Sequence, residues 1–279
     1  MLLFPAAALV FLCLLVPLFY VLVLSLNHAV TGDVALHAAL TPENYVRLFS
    51  RWFYSRILVR TVWLSVLTTV LCAVFGTVLS LSLWRTAGRK RAYLILIVAS
   101  PLLVSIVTRT YGWMVVLGDT GLVNAVLMHL HVISSPLHMM YTQGAVVVGL
   151  VHVFLPMMVL SVLAALDKID PAIPEAAMSL GAGRFATFWK VIFPLAIPGL
   201  SAGITIVFSL SMSSYVTPAL MGGSNAGMLT TLIYQQFVVT YNWHFGSALV
   251  MVLLATSLLV LVLLLAESSR RTRAWLTRK

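Results

Sequence analysis

The chain reads as an all-α membrane protein of six transmembrane helices, and three features of the sequence say so. Hydrophobic residues make up 61% of its 279 positions and charged residues only 9%. A water-soluble domain carries about a quarter of its residues charged, so most of this surface must face something other than water. Its mean hydropathy is +1.06. Finally, crossing the hydrocarbon takes roughly 20 apolar residues, and such windows recur. Residues 61–84 carry no charge, and 191–266 contain no Asp, Glu, Lys or Arg. The second stretch is too long for one span, and Pro218, Gly222, Gly223 and Gly227 divide it.

Taken in order, the expected spans are about 3–26, 60–84, 92–117, 143–165, 196–217 and 244–266. The first is longer than a signal-peptide core and lacks a charged leader, so it reads as a retained helix. Lys and Arg set the orientation. With the amino terminus inside, the inner segments hold Arg85, Arg89, Lys90, Arg91, Lys168, Arg184, Lys190, Arg270, Arg271, Arg273, Arg278 and Lys279. The outer segments hold Arg47, Arg51, Arg56, Arg60 and Arg109. Twelve against five satisfies the positive-inside rule and places both termini in the cytoplasm. The net charge of +10 is thereby explained without nucleic acid.

Between the spans, residues 41–58 carry Tyr45, Leu48, Phe49, Trp52, Phe53 and Ile57, the pattern of an interfacial elbow. Residues 118–142 and 218–243 are polar but almost uncharged, which suits half-buried backbone beside a pathway. For 118–142 an ordinary connecting loop fits as well. Cys13 and Cys72 lie in apolar spans and form neither a disulfide framework nor a metal-ligand spacing.

The most informative stretch is 166–194. Pro174 suits a helix's first turn, and Glu175 meets the positive end of that helix's dipole. Gly181 and Gly183 end the helix and turn the chain. Phe185, Phe188, Trp189 and Ile192 then repeat at i, i+3, i+4 and i+7, predicting an amphipathic helix on the membrane surface. Pro194 and Pro198 lead into the fifth span. A short rigid helix so braced can dock in a partner's groove and pass on its movement; a loop that merely contains helix is the plainer account.

Glu175-Ala176-Ala177, then Gly181, then Ile192-Phe193-Pro194 resembles the EAA loop of binding-protein-dependent ABC importer permeases. The likeness extends along the chain. Arg109-Thr110-Tyr111-Gly112-Trp113 with Gly121-Leu122-Val123-Asn124 is similar to the third-span end of spermidine/putrescine permeases, on their PotB-like side. So are 217–223, Gln235-Gln236-Phe237 and Asn242-Trp243-His244-Phe245-Gly246, although His244 stands where that family has Pro. The resemblance implies a type I importer fold, one permease domain over 1–279 with a cytoplasmic coupling loop at 166–194. It implies a dimer of cytoplasmic ABC ATPase subunits, a second permease subunit forming a heterodimer, and an external (periplasmic) binding protein. The solute would be a polyamine, an opine or a related amine or aminophosphonate, crossing the bacterial inner membrane by alternating access. On this resemblance Glu175, Ala176, Ala177, Gly181 and Arg184 contact the ATPase.

Arg109 sits near the outer end of a span, where a cation either faces an aqueous pathway or snorkels to the interface. With Tyr111, Trp113 and Asp119 it forms the candidate pathway or gate; Asp119 would pair with Arg109, meet a cationic solute, or act as a simple loop acid. Gly199-Leu200-Ser201-Ala202-Gly203 matches G-x-S-x-G, but it opens a transmembrane helix and reads as a close-packing face, not a nucleophile elbow. His129, His131, His138 and His152 lack companion ligands, so they read as interfacial or satisfied histidines and no metal site is expected. No phosphate-binding G-x-x-x-x-G-K-[ST] occurs, so no nucleotide cofactor is expected and the chain is not expected to be an enzyme. The rival, an ion-coupled secondary transporter, calls for acids within the spans, and their middles have none.

Overall fold

The computed structural model describes the backbone of residues 3–28 and 40–276, with side chains for 9–28, 40–223 and 226–266. Arg278 and Lys279, counted above among the inner basic residues, lie outside the described residues, as do the side chains of Arg270, Arg271 and Arg273. Every described element is helical. In order they are α1 (Leu3–Ser25), α2 (Glu43–Ser50), α3 (Trp52–Trp84), α4 (Gly88–Ala99), a 3₁₀ turn (Ser100–Leu103), α5 (Ile106–Leu117), α6 (Leu122–His129) and α7 (Gln143–Leu166). There follow α8 (Ala172–Ser179), α9 (Arg184–Thr187), α10 (Phe193–Met212), α11 (Val216–Met221), α12 (Gly223–Ala226), α13 (Leu229–Tyr234) and α14 (Trp243–Leu276). Among the described residues, five helical stretches are long and apolar enough to cross a membrane, and Leu9–Ser25 of α1 and Leu229–Val239 are shorter apolar helices.

Three expected boundaries move. The span expected at 92–117 is broken: Pro101 sits in the first turn of Ser100–Leu103, and Val104 is extended. The crossing stretch begins instead at Ile106 and runs to His129. Hydropathy cannot see this break, because the residues around it stay apolar. The surface helix expected at 184–192 is not separate. Arg184–Met212 is one 29-residue helix, with a π-turn over Phe188–Ile192 just before Pro194. Proline has no N–H for the preceding turn, and a wider turn absorbs the mismatch. The fifth span itself ends at Met212, five residues early, and Val216–Met221 forms its own short helix.

The chain forms two compact units. In the first, Met1–Thr61 with Gly227–Leu258, the 41–58 elbow resolves into α2 and the start of α3. Leu48, Tyr54, Ile57, Leu229, Leu232, Phe245, Leu249 and Val252 form its core. The Arg47 guanidinium lies 4.7 Å over the Phe245 ring. Asn44 donates to the carbonyls of Ser25 and Asn27 at 3.0 and 2.8 Å, satisfying acceptors that the end of α1 leaves open. Thr61 Oγ1 accepts from the Leu229 N–H at 2.8 Å, which pins the start of α13.

The second unit, Val62–Ala226 with Leu259–Lys279, is built around α7. Gly203 and Gly76 let neighbouring helices approach it: a Cβ at Gly203 would lie 2.5 Å from Met158 Sδ, and one at Gly76 2.6 Å from Met158 Cγ. Gly199 comes so close that a Cβ there would lie 2.7 Å from the Ser161 carbonyl oxygen. Between them, Ser201 donates to the Ile197 carbonyl at 2.8 Å. Ser80 donates across to the Val159 carbonyl at 2.8 Å. Small residues bring apolar helices together where no hydrophobic effect drives them, since lipid is as apolar as leucine.

Candidate functional site

The coupling candidates occupy a turn whose geometry is complete within itself. Asp170 Oδ1 accepts the Ala172 N–H at 2.9 Å at the entry to α8. Pro171 is the N-cap and Pro174 falls in the first turn with Glu175. At the other end the Gly181 N–H reaches the Met178 carbonyl at 3.0 Å and the Ala182 N–H reaches the Ala177 carbonyl at 3.1 Å. That pair of bonds is a Schellman ending, and Gly181 adopts φ +87° to make it. Nothing among the described residues lies within 4 Å of a Cβ placed on Gly181. Glycine is therefore required here by its backbone angle and not by crowding.

Around this turn apolar side chains stand in the open. Leu180 is 89% exposed and Phe185 78%. Phe185 and Phe188 flank Trp189, with ring centroids 6.2 and 5.1 Å away. Glu175 and Arg184 line one cavity of ≈ 440 Å³ together with Arg85, Met178 and Trp84. Arg91 grips both carboxylate oxygens of Asp167, at 2.6 and 2.5 Å, and ties α4 to the end of α7 just before the turn.

The pathway candidates separate. Arg109 and Trp113 are one turn apart on α5 and share a face, whereas Tyr111 lies about 200° round from Arg109 and is 53% exposed. Trp113 packs edge-on against His152 of α7, centroids 5.6 Å apart. Among the described residues, Arg109 Nε and Nη1 are buried without an acceptor, and His152 Nδ1 is buried without a partner. Pro156 in turn has no N–H to offer the His152 carbonyl. His152, read from the sequence as interfacial or satisfied, thus leaves its Nδ1 unmet. Asp119 does not pair with Arg109; it holds His138 Nδ1 at 3.0 Å from each carboxylate oxygen.

Thr110, next to Arg109, is buried, and its hydroxyl lies 3.4 Å from that of Thr217 on α11. A Cβ at Gly149 would come within 2.6 Å of Thr217, so α11 rests directly on α7. Asn124 is buried and staples residues 118–137: it donates to the carbonyls of Gly118 and Leu137 and accepts the Leu137 N–H. Neither the staple nor the Trp113–His152 contact is visible from spacing, because each joins residues far apart in sequence. The Asp170 bond was within reach, since Asp before Pro at a helix start is a local signal.

With this geometry in view, known proteins sharpen the reading. Residues 74–273 match the family described as binding-protein-dependent transport system inner membrane component. The chain belongs to that family. The spermidine/putrescine transport system permease protein PotB of Haemophilus influenzae is 32% identical over 240 residues, 86% of this chain and 82% of that relative. The inner membrane ABC transporter permease YdcU of Escherichia coli is 29% identical over 227 residues, 76% and 71% of the two chains. In fold, a bacterial ABC transporter importing the acidic polysaccharide alginate superposes with a TM-score of 0.80 at 17% identity, covering 96% of this chain and 94% of that one. The permease is therefore an all-α, multi-pass inner-membrane subunit of an ABC importer. Its family consists of transport components, not enzymes in their own right, and the ion-coupled alternative is not favoured.

Proposed function

We propose that the permease carries an amine-bearing solute and is driven through the turn at 166–194. Glu175, Ala176, Ala177, Gly181 and Arg184 are the residues that meet a dimer of ATPase subunits, and both termini lie on that cytoplasmic side. One observation carries this reading: a fully bonded short helix ends in a left-handed glycine beside Leu180 and Phe185, both exposed and uncovered by their own chain. Exposed apolar groups on an internally satisfied turn are what a docking element offers a groove. Family membership supports the same direction.

A binding protein delivers the solute from the opposite side, and a second permease subunit supplies the rest of the pathway. On this chain Arg109, Trp113, Tyr111 and Asp119 belong to that pathway, joined by His152. The amine class rests on the spermidine/putrescine relative; an opine or aminophosphonate also carries an amine. A cysteine at Leu180 in a variant lacking Cys13 and Cys72 tests the docking. It should cross-link to the ATPase subunit in inside-out vesicles and resist impermeant thiol reagents added to intact cells. Labelling from outside, with no cross-link, would overturn both the docking and the orientation.

A further inference from the structure

We propose that the cavity beside Asp119 receives the primary ammonium end of the solute, and that His138 is its built-in competitor. The proposal rests on the amine-permease reading above and adds a site to it. A cavity of ≈ 460 Å³ is lined by Met114, Gly118, Asp119, His138, Met140 and Tyr141. It joins one carboxylate to two thioethers and a phenol ring, a set suited to a cation on a methylene chain. The carboxylate attracts the ammonium, the ring adds a cation–π face, and the thioethers are soft, adaptable contacts for the methylenes.

The geometry of His138 shows where such a cation would sit. Its Nδ1 stands astride the carboxylate, 3.0 Å from both oxygens, in the place an ammonium would take. The His138 side chain is 85% exposed and that of Asp119 52%. Little buried surface is therefore lost if the imidazole swings away. Elsewhere among the described residues, acids are committed differently: Asp167 to Arg91, Asp170 to the start of α8, and Glu43 to His28.

A second observation marks the cavity as held in shape. Tyr141 has φ +62°, a left-handed backbone that a bulky residue seldom adopts. Its ring lies against Gly223, where an added Cβ would come within 3.0 Å of Tyr141 Cδ1. Strain kept in place by close packing clusters at binding sites.

The test is binding of radiolabelled putrescine to the assembled transporter in lipid nanodiscs, without its binding protein. Asp119→Asn should weaken binding about tenfold or more, the loss expected on removing a charge-assisted bond. His138→Ala should strengthen it a few-fold, because the carboxylate loses its resident partner. His138→Lys keeps the pair and should block putrescine. That variant guards against Asp119→Asn merely unfolding the loop. Unchanged binding in Asp119→Asn, weakening by His138→Ala, or free binding in His138→Lys would each overturn the site. So would a wild-type transporter that holds its ATPase yet binds no putrescine at millimolar concentration, an outcome that leaves the permease reading standing. Failure of the Leu180 cross-link would strike that reading and leave putrescine binding unaffected.

Discussion

The turn at 170–187 and the Arg109–Trp113–His152 cluster are opposite solutions within one unit of the molecule. In the turn, the helix ends are closed by the chain itself, through Asp170 at the start and the paired Gly181 and Ala182 bonds at the end. What it leaves open is apolar, at Leu180 and Phe185. In the cluster the apolar packing is done, with Trp113 against His152, and what is left open is polar. An exposed apolar group asks for a surface. A buried, unmet donor asks for an acceptor and costs about 1–3 kcal/mol until one arrives. The first region leaves apolar surface open to a partner; the second leaves polar groups unmet among the described residues.

The largest expected effect falls on Gly181. A β-branched residue there cannot hold φ +87° without strain, so Gly181→Val should undo the Schellman ending. Solute-stimulated ATP hydrolysis in proteoliposomes should fall to the unstimulated level. Because no atom of the described residues crowds the position, Gly181→Asn, which tolerates the left-handed region, should recover part of the rate. Glu175→Ala should be milder, since losing one charge-assisted bond costs about 1.5–3 kcal/mol. Normal coupling in Gly181→Val would mean that the turn is not what the ATPase holds.

The cluster should respond with the opposite sign in stability. Arg109→Met removes two buried donors that lack acceptors among the described residues and keeps an unbranched apolar stem. We expect a higher melting temperature for the detergent-purified transporter, together with transport reduced about tenfold, the trade-off of a site built for function. A variant that melts lower and transports normally would instead make Arg109 a structural residue that snorkels to the interface.

The two regions also differ in how far their sequence betrays them. Six crossings, the short helix after Pro171 and its glycine ending follow from hydropathy, proline chemistry and the left-handed angle, all local in the chain. The break at Ser100–Leu103 escaped because apolar composition runs straight through it. The continuity of Arg184–Met212 escaped because Pro194 reads as a boundary, and only the π-turn before it shows how the helix passes. His152 escaped for a different reason: its role depends on α5 lying against α7, 39 residues away from Trp113 in sequence. Asp119 reads from the sequence as a partner for Arg109, a contact for a cationic solute or a simple loop acid, whereas its partner His138 is 19 residues on and follows the Asn124 staple.

The smallest effect sharpens the comparison most, because it concerns how the turn is held and not what it touches. Asp170 accepts the Ala172 N–H at 2.9 Å, and losing one such hydrogen bond costs about 1 kcal/mol. α8 has only 8 residues, far below the length at which a helix persists alone in water. Its order therefore depends on its two ends. Asp170→Ala should lower amide-exchange protection across 172–179 by about fivefold, the equivalent of that 1 kcal/mol, while 143–166 stays unchanged. Asp170→Ser, which restores an acceptor at the same place, should return most of the protection. ATPase docking should weaken by a similar factor, since the ordering lost in the free turn must be supplied on binding. Equal protection in all three proteins would show that α8 is held by its contacts alone, and the account of the turn as closed by its own chain would fail at its first residue.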